Sequence, residues 1–273
     1  MKDPLFSFDD QVVLVSGGSR GIGAAIAQGF VERGATVIIT GREPQSLEHA
    51  AEALSTPDNP VTPLVCDVSQ SESIRSLVGT VVDRFSRIDT LINVAGVNRR
   101  KPALEVTEDD YDFILDINLK GAFLLSQKVG AQMSKQGSGC QINIASLTTD
   151  RPLKHVLPYA ISKSAIGQMT RSLAMEWGPL GIRVNALAPG FVLTDLTQKL
   201  WSDPEMQVWG KQNTPLGRLG KPADMVGTAL FLSSGGAAFV TGQTIYVDGG
   251  FNAGWAWPIP EDGGMAPSNN RKR

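Results

Sequence analysis

Short apolar runs recur along this chain, each followed by a longer stretch whose apolar positions fall three and four residues apart. Gln11-Val12-Val13-Leu14-Val15 and Val37-Ile38-Ile39 are continuous rather than alternating, the pattern of strands buried on both faces of a parallel sheet. The spacing predicts strands near 11–16, 36–40, 61–66, 89–93, 139–145, 182–188 and 243–247. Helices are predicted near 21–33, 44–54, 71–86, 107–136, 158–177 and 222–233. Alternating βα units imply an α/β fold: a doubly wound parallel sheet with helices on both faces, joined by right-handed crossovers. No repeat or linker interrupts the chain before residue 250, so residues 1–260 read as one domain. The stretch from Pro258 is rich in Pro, Gly, Ser and Asn, and 261–273 is expected to be a disordered tail.

Composition narrows the function. The 273 residues carry a net charge of −2 with 19% charged positions, so no basic face for nucleic acid is expected. The runs Arg99-Arg100-Lys101 and Arg271-Lys272-Arg273 read as solvated surface. Met1-Lys2-Asp3-Pro4 opens no signal peptide, and no run approaches the roughly 20 apolar residues of a membrane span, so no membrane partner is expected. Cys66 and Cys140 lie at the edges of strand patterns; as buried free thiols they fit a cytoplasmic protein. His49 and His155 are the only histidines and no Cys/His cluster has ligand spacing, so no metal site is expected.

Two motifs carry chemistry. After the first strand comes Ser16-Gly17-Gly18-Ser19-Arg20-Gly21-Ile22-Gly23, then a helical pattern through Ala24, Ile26, Ala27, Phe30 and Val31. Strand, glycine-rich turn and helix place free N–H donors and the positive end of a helix dipole where a pyrophosphate can bind. The spacing is G-x-x-x-G-x-G rather than the commoner G-x-G-x-x-G. Further on, Tyr159 and Lys163 are i, i+4 neighbours on a predicted helix, with Ser146 upstream. An ammonium one turn away favours a phenolate and brings a phenol, ordinarily of pKa about 10, toward the working range. A Ser/His hydrolase reading of Ser146 and His155 fails, because no Gly-x-Ser-x-Gly elbow surrounds Ser146 and no acid is placed to orient His155.

From about Phe8 to Gly250 these motifs, in this order, resemble the short-chain dehydrogenase/reductase family in its single-domain branch. Gly17, Gly21 and Gly23 match the family's cofactor glycines, with Ser19, Arg20 and Ile22 in the same turn; Asp67 matches the acid that touches adenine, followed by Val68. Asn93-Val94-Ala95-Gly96 is similar to the family's Asn-Asn-Ala-Gly, making Asn93, Ala95 and Gly96 cofactor-side residues. Pro189, Gly190, Val192 and Thr194 fall in the segment that covers the nicotinamide. Asn118, Ser146, Tyr159 and Lys163 match the catalytic tetrad. The resemblance implies the strand order 3-2-1-4-5-6-7 and hydride transfer with Tyr159 as general acid/base. By the same resemblance Ser146 orients the reacting oxygen, Lys163 holds the nicotinamide ribose, and Asn118 holds a relay water through its main chain. Helix pairs 107–136 and 158–177 across a two-fold axis imply a homotetramer, with Phe113, Ile114, Phe123, Leu124, Leu125, Ile166, Met169 and Leu173 as surplus apolar positions. The stretch Phe251 to Trp257 reads as packed against a neighbour.

After the second strand, where enzymes using NAD commonly place an acid, the chain has Gly41 and Arg42. Arg20 and Arg42, with no carboxylate beside them, suit a 2′-phosphate, so NADP is the expected cofactor and NAD the weaker alternative. The segments 147–157 and 193–213 are expected to wall the substrate pocket. Arg151, Lys154 and His155 near Tyr159 and Ser146 suggest a polar or anionic hydroxy/keto compound such as a sugar acid, as for gluconate and keto-sugar dehydrogenases. Trp201, Met206 and Trp209 read either as a lid or as packing against the body. Resemblance to 3-oxoacyl-carrier-protein reductases leaves a thioester reductase as the alternative, although Gly137 and Leu180 stand where that group has basic carrier-docking residues. A non-catalytic NADP(H)-binding sensor is the alternative from another class; the intact tetrad argues against it.

Overall fold

The computed structural model describes residues 4–254. Seven strands, β1 (Val12–Ser16), β2 (Thr36–Gly41), β3 (Thr62–Val65), β4 (Thr90–Asn93), β5 (Gly139–Ile144), β6 (Ile182–Pro189) and β7 (Thr244–Val247), form one sheet in the order 3-2-1-4-5-6-7. Every neighbouring pair is parallel. The order reverses between β1 and β4, where ligands of open α/β sheets bind. Register brings the site-bearing strand ends level, pairing Ser16 with Thr40 and Asn93, and Asn93 with Asn143.

The period of two along β1 assigns the layers. Val13 and Val15 face α1 (Gly21–Val31) and α2 (Pro44–Leu54), in a core with Ile26, Phe30 and Leu47. Val12 and Leu14 face the opposite layer, with Ile74 of α3 (Ser71–Phe85) and Leu125 of α5 (Ala122–Gln136). Leu125 is fully buried, worth about 1.5–3 kcal/mol for such a side chain.

The predicted helix over 107–136 is interrupted. It is α4 (Glu108–Leu115), a π-helical turn Asp116–Gly121, and then α5. Phe113, Ile117 and Leu124 keep four- and seven-residue spacings across the turn, so the pattern alone does not reveal it. The structure adds α7 (Asp195–Trp201) and α8 (Pro204–Gln212) within 193–213, after the long α6 (Leu157–Trp177). The helix predicted over 222–233 opens as a 3₁₀ turn, Pro222–Met225, before α9 (Val226–Ser233). Of the apolar positions expected to be surplus, Ile114, Leu125, Ile166 and Leu173 are buried in this chain's own core, whereas Phe123 is exposed. Phe251 packs edge-on against Phe191 of the same chain at 4.7 Å. Trp255, Trp257 and the predicted tail 261–273 lie outside the described residues.

Candidate active site

The glycine turn is fixed by what it touches. Both Gly17 and Gly18 donate their amides to the Thr40 carbonyl, at 2.9 and 3.0 Å, which joins the turn to β2. Gly17 has φ +73°, and a Cβ there would stand 2.8 Å from the Ala95 nitrogen; one on Gly23 would stand 2.1 Å from the Gly17 oxygen. No side chain caps α1, so the N–H groups of its first turn, at Gly21, Ile22 and Gly23, stay open to an anion. This cradle, which any side chain would fill, fits a dinucleotide pyrophosphate.

Other cofactor candidates gather at the same edge. Asp67 accepts the Ser69 N–H and hydroxyl on one oxygen, at 3.0 and 2.8 Å, and its other oxygen has no partner among the described residues. The Val68 backbone lies against Gly121, where a Cβ would come within 2.5 Å of the Val68 oxygen. Gly190 abuts the Asp248 backbone, and Thr194 lies over Gly21, its Cγ2 3.7 Å from a Cβ position there. Val192 buries its side chain in the core, leaving only backbone for a ligand. Asn93 spends its amide inside the protein, donating to Ser126 and Asn143 at 2.9 Å each, so its side chain organises β4, β5 and α5. Arg42 is exposed. Arg20 is exposed too, but it is not free of carboxylates as expected: its guanidinium is 3.7 Å from Asp195, at the start of α7. The two sites are far apart in sequence, so spacing does not pair them.

Asn118, Ser146, Tyr159 and Lys163 meet beside this cradle. Asn118 lies in the π turn, 1% exposed, and is clasped to Val97 from both sides: its oxygen accepts the Val97 N–H at 2.8 Å and its amide donates to the Val97 carbonyl at 2.9 Å. The same amide reaches the Ser162 hydroxyl at 3.2 Å, and Ser162 donates to the Tyr159 carbonyl at 2.7 Å. This chain of contacts joins the π turn to the catalytic turn of α6. Ser146 follows β5 as the cap of a 3₁₀ turn, accepting the Thr148 N–H at 3.1 Å. Its hydroxyl lies close enough to the Tyr159 phenol to favour the phenolate. Thr149 donates to the Lys163 carbonyl at 3.2 Å, holding that turn against α6. Gly96 lines the gap between them, with a Cβ position 3.4 Å from Asn118 Oδ1 and 3.7 Å from Lys163 Nζ.

Burial dominates the electrostatics of Tyr159 and Lys163. Burial pushes the Tyr159 phenol up, while the Ser146 hydrogen bond and the Arg100 charge pull it back. The Lys163 ammonium donates to the Ile144 carbonyl at 2.6 Å and lies 5.7 Å from the Tyr159 ring centroid. Burial pushes Lys163 itself down to about 8.

Composition concealed the pairing at 99–101. The run was expected to be solvated surface; Arg100 is exposed, while its neighbours Arg99 and Lys101 pair with Asp110. The available signal was position: the loop directly after Asn93-Val94-Ala95-Gly96 leaves the carboxyl end of a central strand. Arg151, Lys154 and His155, expected to supply the charge near Tyr159, make no side-chain hydrogen bond or ion pair among the described residues. Lys154 and His155 are exposed and Arg151 half-buried. His155 sits at φ +64°, and its carbonyl accepts the Lys101 N–H at 3.0 Å, so the two loops meet.

Of the 193–213 aromatics, Trp201 is buried at 3% exposure and packs on Phe191 at 5.4 Å, as does Trp209, which remains partly exposed. Both rings therefore pack on the segment 189–194. Among the described residues there is no metal-binding cluster and no helix long and apolar enough to cross a membrane.

The family described as enoyl-(acyl carrier protein) reductase matches residues 17–252. Gluconate 5-dehydrogenase of Gluconobacter oxydans is 36% identical over 246 residues, covering 90% of this chain and 96% of that protein. The human dehydrogenase/reductase SDR family member 4 is 37% identical over 250 residues, covering 91% of this chain and 89% of its own. A solved gluconate 5-dehydrogenase from Burkholderia cenocepacia, in complex with NADP and tartrate, superimposes with a TM-score of 0.89 at 33% identity, covering 92% of this chain and 98% of that one. With the parallel sheet, the glycine cradle and the Asn-Ser-Tyr-Lys cluster in place, these likenesses make the chain a member of the short-chain dehydrogenase/reductase family.

Proposed function

We propose that the protein is an NADP(H)-dependent oxidoreductase interconverting a small alcohol and its carbonyl, with a polyol, keto-sugar or sugar acid as substrate. The observation that carries the reading is the convergence of Asn118, Ser146, Tyr159 and Lys163 beside the glycine cradle. Bound NADP(H) supplies or accepts the hydride at its nicotinamide. Ser146 and Tyr159 hold the substrate oxygen, and Tyr159 donates its proton as charge develops there, so no bare alkoxide forms. In oxidation Tyr159 takes the proton back. Lys163 and the backbone of the Asn118 turn connect the phenol to solvent, and the segment 189–194 shields the site from water.

An anionic substrate is the form of this reading we favour. This agrees with the tartrate held by the Burkholderia relative. A 3-oxoacyl thioester reductase is the alternative activity; the uncharged Gly137 and Leu180 weigh against carrier docking. The test is a screen of NADPH consumption and NADP reduction over keto-sugars, sugar acids, β-ketoesters, acyl thioesters and cyclic ketones. Turnover of thioesters alone refutes the sugar reading, and no turnover at all favours a cofactor-binding sensor.

The buried free thiols Cys66 and Cys140 support a cytoplasmic setting. Exposed Phe123, Leu157 and Ile161 on α5 and α6 support a homotetramer, which light scattering tests: a monomer at micromolar concentration contradicts it.

A further inference from the structure

The 3₁₀ turn Leu147–Thr149, which Ser146 opens and Asp150 ends, is held from two sides. On the side of α6, Thr149 donates to the Lys163 carbonyl at 3.2 Å and Ser164 donates to the Thr149 carbonyl at 2.7 Å. On the other side stands Tyr246 of β7, whose hydroxyl donates to the Asp150 carboxylate across 96 residues of chain. The Tyr246 ring has its own anchor. Its backbone pairs with Ala188 of β6, and the ring packs against a buried cluster of Ala122, Ala145, Ile166, Ala186 and Ala188. Ala145 directly precedes Ser146, so the side chain that binds the end of the turn is seated on the core from which the turn departs.

We propose that Tyr246 and Asp150 are positioning residues for the reaction: their hydrogen bond fixes the turn that sets the Ser146 hydroxyl beside the reacting oxygen. The inference rests on the proposed role of Ser146. A single 3₁₀ turn has too few hydrogen bonds to fix its own position, so neighbouring elements must supply it. The contacts to α6 run along one edge and leave the turn free to tilt about it; the bond to Tyr246, from β7, removes that freedom. Displacement at Asp150 has a short way to travel. The Arg151 N–H donates to the Leu147 carbonyl at 3.1 Å, the Thr149 N–H to the Ser146 carbonyl at 2.9 Å, and the Thr148 N–H to the Ser146 hydroxyl oxygen at 3.1 Å. A phenol donating to a carboxylate is a charge-assisted bond. Burial, then the bond to Asp150, raise the Tyr246 phenol above its ordinary value, so it remains a donor throughout any ordinary assay.

The test is the single-turnover rate of NADPH oxidation in the full-length protein by 5-keto-gluconate, with diacetyl as a second, small and reactive ketone. Tyr246→Phe removes only the hydroxyl and should lower the rate about three- to tenfold, the scale of one lost positioning hydrogen bond, with NADPH affinity within about twofold. Asp150→Ala should match it, and serves if Tyr246→Phe fails to fold. Asp150→Asn keeps an oxygen acceptor and should restore most of the rate. The decisive comparison is made in Ser146→Ala, where Tyr246→Phe should change the remaining rate by less than about twofold, because its effect passes through the missing hydroxyl. The same three- to tenfold loss in both backgrounds overturns the proposal. So does a lowered Tm with an unchanged rate, which marks a bond that serves stability alone, or a fall in NADPH affinity that accounts for the loss. If Ser146→Ala itself leaves the rate unchanged, or the wild type reduces neither ketone, the underlying reading fails first.

Discussion

The Lys163 ammonium donates to the Ile144 carbonyl oxygen at 2.6 Å, fastening the middle of the α6 catalytic turn to the end of β5. The bond crosses between the two elements that carry Tyr159 and Ser146, so their relative position is set from beneath.

A pH dependence follows from its burial. Lys163 is cationic below about 8 and neutral above it, against an ordinary value of 10.5. If the ammonium holds the nicotinamide ribose, kcat/KM for NADPH is flat below about 8 and falls as pH rises through it. Stability runs the other way. Between about 8 and 10.5 the unfolded chain holds the extra proton, so this group's cost to folding shrinks as pH rises. The Tm of the wild type should therefore gain on that of Lys163→Met across this window. A profile with no limb near 8, together with a constant Tm difference, contradicts the assignment.

Cofactor choice is testable at Gly41. A Cβ there would meet Ser19 Oγ and Leu47 Cδ1 at 3.5 Å each, ordinary contact distances, so an aspartate fits without displacing the turn. Gly41→Asp with Arg42→Ala should shift the NADP/NAD ratio of kcat/KM toward NAD by about a hundredfold, the scale of one or two lost charge-assisted hydrogen bonds. A wild type that already prefers NAD sinks the idea.

Two glycine substitutions should have opposite signs. Gly121→Ala drives a methyl to within 2.5 Å of the Val68 oxygen and should cost about 1–3 kcal/mol while raising KM for NADPH. Gly79→Ala, inside α3 with nothing within 4 Å, should stabilise by about 0.4–1 kcal/mol. Urea unfolding measures both; equal effects would mean that the approach of Gly121 to Val68 is not a tight one.

The parallel sheet was legible because buried strands read as continuous apolar runs, and the glycine turn because its spacing sits between a strand and a helix. The π turn at Asp116–Gly121 was hidden, since Phe113, Ile117 and Leu124 keep a helical spacing across it. The electrostatics of Tyr159 were hidden for a different reason. An i, i+4 interval shows that Lys163 is near but not that Ile144, from another strand, takes its proton donor. The anchoring of Arg99 and Lys101 was hidden because three adjacent cations look like solvated surface until Asp110, from another element, claims two of them.

The central claim is that Tyr159 moves the proton that accompanies hydride transfer. The measurement is the single-turnover rate of NADPH oxidation by a reactive carbonyl, followed by absorbance for the wild type and Tyr159→Phe, with NADPH affinity measured alongside. The account predicts a loss of about 10²–10⁴-fold in rate with affinity largely kept, because the pyrophosphate cradle is untouched. A Tyr159→Phe enzyme retaining more than about a tenth of the wild-type rate in this chemistry-limited step, where loss of general acid catalysis should show in full, would contradict it.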